Sequence, residues 1–386
     1  MKFGRYLIYV LLFLLLLGLL GGLWLIVRRS KTAAKLQSDT TITTENGIDT
    51  LEMVEVNEVK HGLLIRGEDV SNPVLLFVHG GPGTPGMLLH RYFETELLDT
   101  YTIVHYDQRG VGKSYDERLT TEDFTINQHV EDLLAISAYV RKRLNQDKIF
   151  LLGQSWGSLL GITAARRKPN YYHAYIGLGQ IIDMHTGERL AASYAISQAI
   201  RQGDDERRAL IEGLGEAPYE DPQKVVTMKR TLRELGGVDY DPDFRGRELR
   251  WRAFNTPEYD IWELMRIQRA ASSPSPTIWK EMLNFNVYKK NGAVRQADTL
   301  LLPVVIMGGI YDYQTPYSLA RTYYKTLHAP KGKRFVKFEK SGHLPNYEEK
   351  DTFIKVMKEE VITWMDSLVI APTDSIASDS LQLNDI

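Results

Sequence analysis

Three residues of the 386-residue chain, Ser155, Asp312 and His343, have the types and the chain order that acyl transfer needs. A serine hydroxyl is a weak nucleophile until a base takes its proton. The base in turn needs a carboxylate to fix its tautomer and stabilise its positive charge. Ser155 stands in "IFLLGQSWGSLLG", where an apolar run gives way to Gly-x-Ser-x-Gly and then to residues of helical character. A strand-to-helix elbow strains the backbone at its centre, and the residues two before and two after must be small for the helix to pass close to the strand. Gly153 and Gly157 occupy those positions. The hydroxyl then stands at the carboxyl end of a strand and at a helix N-terminus, where N–H groups can stabilise developing negative charge.

In chains with a nucleophile on such an elbow, the acid and then the histidine follow the serine. Asp312 in "VVIMGGIYDYQTP" and His343 in "FVKFEKSGHLP" each come just past an apolar run and before a helical segment. Glu339 and Asp366 are weaker candidates for the acid. His328, His173 and His129 are weaker candidates for the base, because they fall inside helical segments or at a strand start. An oxyanion needs donors, and "VHGGPGTPG" supplies a glycine-rich loop in which the backbone can approach a substrate. The Gly81 N–H, or that of Gly80 by a one-residue shift, would pair with the N–H of Trp156, the residue after the nucleophile.

Composition narrows the chemistry further. A net charge of -2 gives no basic excess to neutralise phosphates, so no nucleic-acid partner is expected. With no cysteine, disulfides, thiolate catalysis and cysteine-ligated metals are excluded together. The nine histidines form no HExxH pattern, so neither a zinc site nor any other cofactor is expected.

These residues need a scaffold. Short apolar runs, among them "NPVLLFVHGG", "YTIVHYDQRG", "KIFLLGQS", "HAYIGLGQ", "LLPVVIMGG" and "KRFVKFEKSGH", alternate with helical patterns such as "INQHVEDLLAISAYVRKRLN". The alternation predicts an α/β fold with a mostly parallel sheet covered by helices on both faces. "LEMVEVNEVKHGLLIRGED" reads as an antiparallel hairpin that opens the domain. Residues 181–300 are helical and charged, with no convincing strand, and read as a helical cap. That cap divides the core into a first part, 51–180, and a second part, 301–369.

The N-terminus has a different character. Tyr6 to Val27 carries no charge and is long enough to cross the ~30 Å hydrocarbon core of a bilayer as a helix. It reads as a transmembrane anchor in contact with lipid. A cleaved signal peptide would have a shorter apolar run and a small-residue cleavage site. Basic residues flank the run on both sides (Lys2 and Arg5; Arg28, Arg29, Lys31 and Lys35), so the side of the membrane stays open. Residues 28–50 read as a polar linker and 370–386 as a flexible acidic tail.

Together, "HGGPG" at 79–83, "DQRGVGKS" at 107–114, "GQSWGS" at 153–158, "YDYQTP" around Asp312 and "SGH" ending at His343 resemble the prolyl aminopeptidase (proline iminopeptidase) branch of the α/β-hydrolase fold. The resemblance runs from about Val54 to Trp364. It implies Ser155, Asp312 and His343 as the triad, Gly81 and Trp156 as oxyanion donors, and release of an N-terminal residue, proline in that family, from small peptides. It also implies mainly structural roles for Asp107 and Arg109. An exopeptidase must bind a free α-ammonium, and family members supply glutamates for this from the cap. Here Glu263, beside Trp262, is the candidate and Glu281 stands behind it, although "PEYDIWELMRIQ" matches the family poorly. Without such a carboxylate the same machinery would serve a carboxylesterase or amidase. A serine at the elbow, rather than a carboxylate, sets the chain apart from haloalkane dehalogenases and epoxide hydrolases. An intact triad argues against a noncatalytic binding protein.

Overall fold

The structure, a computed structural model, describes residues 2–241, 247–272, 275–289 and 298–365. Its centre is an eight-stranded sheet: β1 (Ile48–Val56), β2 (Val59–Gly67), β3 (Val74–Val78), β4 (Thr102–Tyr106), β5 (Ile149–Gln154), β6 (Tyr172–Leu178), β7 (Val304–Gly309) and β8 (Lys333–Phe338). The order across the sheet is β1-β2-β4-β3-β5-β6-β7-β8. β2 pairs antiparallel with both β1 and β4, and the remaining pairs are parallel. The opening hairpin turns at Asn57 and Glu58, both at positive φ, as a two-residue turn matched to strand twist requires.

Thirteen α-helices among the described residues accompany the sheet. They are α1 (Lys2–Asp39), α2 (His90–Phe93), α3 (Ile126–Arg143), α4 (Trp156–Arg167), α5 (Met184–Gln202), α6 (Asp205–Leu214), α7 (Pro222–Glu234), α8 (Arg247–Phe254), α9 (Ile261–Ser272), α10 (Pro276–Leu283), α11 (Tyr317–Thr326), α12 (Pro345–Glu348) and α13 (Lys350–Lys355). Helices α5 to α10 all lie between β6 and β7.

The central strands are buried on both faces, which is why their sequences read as continuous apolar runs. Val74, Leu76 and Val78 of β3 and Ile149 and Leu151 of β5 join one core, with Val130, Leu133 and Ile136 of α3 and Leu159 and Ile162 of α4. The alternate residues Leu75, Phe77, Phe150 and Leu152 face the opposite core, with Phe353, Val356 and Met357.

One stretch of the chain differs from the sequence reading. The stretch 28–50 is not a linker throughout, because α1 continues to Asp39 and β1 begins at Ile48. The extra turns of α1 are fixed by contact: Arg29 and Ala33 are buried, and the Arg29 guanidinium donates to the backbone oxygens of Phe254 (2.9 Å), Thr256 (3.1 Å) and Tyr259. Arg28 stacks over Trp251, 4.7 Å from the ring centre. Residues 370–386, read as an acidic tail, lie outside the described residues, as does Asp366.

A buried ion pair fastens the loop after β4 to α3. The Arg109 guanidinium meets Asp132 through two bonds of 2.6 and 2.9 Å, and Asn57 adds a third at 2.8 Å. Replacing Arg109 by Met strands the Asp132 carboxylate in the core and should cost about 3–5 kcal/mol. Thermal melts would show a large drop for Arg109→Met. Much of it should be recovered in Arg109→Met/Asp132→Leu, where no charge is left unpaired.

Candidate active site

β5 ends at Gln154 and α4 begins at Trp156, so Ser155 alone makes the turn, at φ 52° and ψ -121°. A non-glycine residue at positive φ is strained, and the surroundings have to impose it. Here the Ser155 N–H donates to Leu178 O of β6 (2.9 Å), and its carbonyl accepts from the Ser158 N–H (2.8 Å) and hydroxyl (2.6 Å). A Cβ on Gly153 would stand 2.5 Å from Gly157 O, and one on Gly157 would stand 2.1 Å from Val78 O. The elbow therefore closes only with glycine at both positions.

The three residues that the sequence singles out converge. His343 Nε2 lies 2.9 Å from Ser155 Oγ, and His343 Nδ1 lies 2.8 Å from Asp312 Oδ2. Asp312 Oδ1 accepts the N–H groups of Gln314 and Thr315, both at 2.8 Å, and Oδ2 accepts the Thr315 hydroxyl at 2.7 Å. With both oxygens satisfied, the carboxylate cannot swing away from the imidazole. Thr315, whose hydroxyl also lies 3.2 Å from His343 Nδ1, is a site residue that sequence reasoning misses. Its only trace in the sequence is a threonine three residues after an aspartate, a spacing that also marks ordinary turns.

The loop after β3 borders the same site. Gly80, Gly81 and Pro82 line a cavity of about 380 Å³ together with Ser155 and His343. Gly81 sits at φ 122°, which favours glycine, and a Cβ on Gly80 would come within 3.3 Å of Ser155 Cβ. Trp156 opens α4, so its N–H has no intrahelical acceptor. Its buried indole donates to Gln108 Oε1 (2.7 Å), and the Gln108 side-chain amide donates to His79 O (2.9 Å). The two sources of N–H groups around Ser155 are thus tied together through Gln108.

Other candidates go elsewhere. Glu263 does not line the cavity. Its carboxylate accepts Lys113 Nζ (2.9 Å) and the Asp260 N–H (2.7 Å), while Asp260 accepts the Glu263 N–H in return. A helix start leaves N–H groups that need acceptors, and that need engages the carboxylate expected to hold an ammonium. Glu281 accepts the Ile126 N–H at the start of α3. Glu339 is exposed and paired with Lys337. His173 packs on Phe150, and His328 follows α11 with its backbone bonded to Asp298 and Leu300. His129 bonds Thr125 O through Nδ1 and meets the Trp156 ring edge-on.

The comparisons with known proteins bear on the fold and the family. The profile of the alpha/beta hydrolase fold family matches residues 73–350. The chain belongs to the α/β hydrolase fold family. Within it, the chain is 28% identical over 322 residues to the "Probable aminopeptidase YbaC" of Bacillus subtilis, covering 81% of this chain and 96% of that protein. A proline iminopeptidase of Saccharolobus solfataricus is 27% identical over 316 residues, covering 75% of this chain and 84% of the relative. The crystal structure of a proline iminopeptidase from Mycobacterium smegmatis superposes with a TM-score of 0.57 at 17% identity, over 83% of this chain and 98% of that one, which speaks for the fold. This α/β hydrolase therefore resembles named aminopeptidases over most of its length.

The buried histidines around the site give it a pH signature. Burial pushes both His79 and His129 down to about 4, against the ordinary value of about 6.5. As pH falls from 6.5 towards 4, the unfolded chain binds protons that these folded histidines refuse, so their contribution to stability falls across that window and levels off below it. Denaturation midpoints measured against pH should fall less steeply for His129→Gln than for the wild type between pH 6.5 and 4. An unchanged slope would mean that His129 is free to protonate in the folded chain.

Proposed function

We propose that the protein is a serine hydrolase of the aminopeptidase type, held at a membrane by α1, which releases the N-terminal residue of short peptides through an acyl-enzyme. The observation that carries this reading is the unbroken hydrogen-bonded series Ser155–His343–Asp312 at the edge of a cavity. In the first step Ser155 Oγ attacks the scissile carbonyl as His343 Nε2 takes its proton. Asp312, already bonded to Nδ1, stabilises the imidazolium that forms. The oxyanion accepts the Gly81 and Trp156 N–H groups. As the intermediate collapses, His343 returns the proton to the leaving amine. Water then repeats the cycle on the ester.

A carboxylesterase or amidase is the second reading, favoured by the absence of any Asp or Glu from the described residues that line the cavity. Rates on prolyl-anilide, its N-acylated form and a short-chain ester separate the two. An aminopeptidase needs the free amine, whereas an amidase or esterase tolerates its loss.

Ser155→Ala should abolish labelling by a fluorophosphonate, and peptide mapping of the wild type should find the label on Ser155. His343→Ala and Asp312→Asn should each lower turnover by roughly 10³- to 10⁴-fold. Near-normal turnover in Asp312→Asn would reject Asp312 as the acid.

The membrane part of the proposal rests on α1, whose apolar stretch is long enough to span a bilayer and is exposed. A cut after Val27 removes that stretch and keeps the Arg29 contacts. The shortened protein should leave the membrane pellet on carbonate extraction and keep rates comparable with those of the full chain. Retention in the pellet would overturn the anchor.

A further inference from the structure

Among the described residues, the charged side chains that line the cavity of Ser155 are of one sign. Along α7, Val225, Lys229 and Arg233 follow one another at intervals of four residues, so they share one helix face, and all three line the cavity with Ser155, His343, Gln314 and Trp279. We propose that Lys229 and Arg233 form an anion subsite, and that the preferred substrate of Ser155 carries a carboxylate which these two cations bind. This rests on the hydrolase reading above and adds a substrate class to it.

Lys229 is the centre of the argument. Its Nζ stands 4.7 Å from the centre of the Trp279 ring, and Trp279 is itself fixed by its indole N–H on Tyr219 O at 2.7 Å. Among the described residues Lys229 has no hydrogen-bond or ion-pair partner, and its ammonium is therefore presented to the cavity on an aromatic platform. Burial pulls its pKa down, and the neighbouring Arg233 pulls the same way. Two cations one turn apart repel, and an anion between them relieves both the repulsion and the desolvation.

Arg233 contributes a guanidinium whose Nε lies 3.6 Å from Asp239 and whose side chain is about half exposed. Its fork of donors suits a planar carboxylate. The acidic group that acts on Lys229 is Glu188 of α5, which lines a neighbouring cleft with Gln314 and Thr315 rather than this cavity. Burial pushes the Glu188 carboxyl up, which weakens it as a counter-charge. For an N-terminal exopeptidase the matching carboxylate is the C-terminus of a dipeptide, on the leaving side. A dicarboxylic acyl group would carry the same chemistry on the acyl side.

The test uses the full chain in detergent micelles and compares kcat/KM within matched pairs. Prolyl-glycine against prolyl-glycinamide reads the leaving side, and mono(4-nitrophenyl) glutarate against 4-nitrophenyl butyrate reads the acyl side. In one of the pairs the carboxylate form should lead by about 10- to 100-fold, as a charge-assisted contact implies. The ratio should collapse towards unity in Lys229→Met and fall in Arg233→Gln, and Lys229→Arg should restore much of it. Because each ratio is taken within one variant, loss of folded protein does not imitate the result.

Calorimetry on Ser155→Ala protein with prolyl-glycine and its amide, and with glutarate and butyrate, measures the same preference without turnover. Equal affinity within both pairs, or a carboxylate preference that survives Lys229→Met, overturns the subsite. Failure of Ser155 to take up a fluorophosphonate overturns the parent reading instead.

Discussion

The strained backbone of Ser155 is the constraint on which the rest depends. One residue has to turn the chain from the end of β5 into α4, and it does so at a positive φ that a serine adopts only under compulsion. The compulsion comes from three directions: the ladder to β6, the Ser158 hydroxyl held under the Ser155 carbonyl, and the approach of α4 to β3 that two glycines permit. The Ser158 hydroxyl also accepts the Ile181 N–H, so the chain that leaves β6 for the helices beyond is anchored at the same point. The strain is local, but the elements that enforce it span the centre of the sheet.

The loops bearing Asp312 and His343 have a second support. The Gly237 carbonyl accepts the Tyr313 N–H at 2.9 Å, and the Val238 carbonyl accepts the His343 N–H at 2.7 Å. Glu348 joins the same segment to the histidine loop, accepting the N–H groups of Tyr240 and Gly342. A Cβ on Gly342 would meet Val238 O at 2.1 Å, so the two backbones are in direct contact. The segment 237–240 follows α7, which carries Lys229 and Arg233. The helices inserted between β6 and β7 thus line the cavity and also brace the acid and base from outside.

A third chain of contacts runs from α1 to the site. Arg29 grips the carbonyls of residues 254–259, the Tyr259 hydroxyl donates to Asp107 at 2.7 Å, and Asp107 accepts the Lys113 N–H at 2.7 Å. Next along the chain, Gln108 orients Trp156 and His79. Burial raises Asp107 to about 7, so the turn it organises sits on a carboxyl that keeps its proton more readily than a surface aspartate. An apolar helix fastened in this way is connected by hydrogen bonds to the loop beside Ser155, although it lies about seventy residues before that loop.

What the sequence determined by itself follows from rules that act over short distances. Continuous apolar runs reveal strands buried on both faces, the glycines two before and two after Ser155 reveal an elbow, and a place just past an apolar run sets Asp312 and His343 apart from His173 and His129. An uncharged N-terminal run has the length of a bilayer whatever follows it. Other facts depend on which distant groups meet. Residues 28–39 look like linker because they are polar, yet they are helical because Arg29 finds three carbonyls more than 220 positions away. Glu263 has the right type for an ammonium, but Lys113 and Asp260 engage it first. Thr315 and the cationic face of α7 carry no local mark, since a threonine after an aspartate and a lysine four residues before an arginine are common on any surface. Only the packing of α7 over Ser155 turns those two charges towards the cavity, because burial and partner identity are properties of the folded chain and not of any stretch of its sequence.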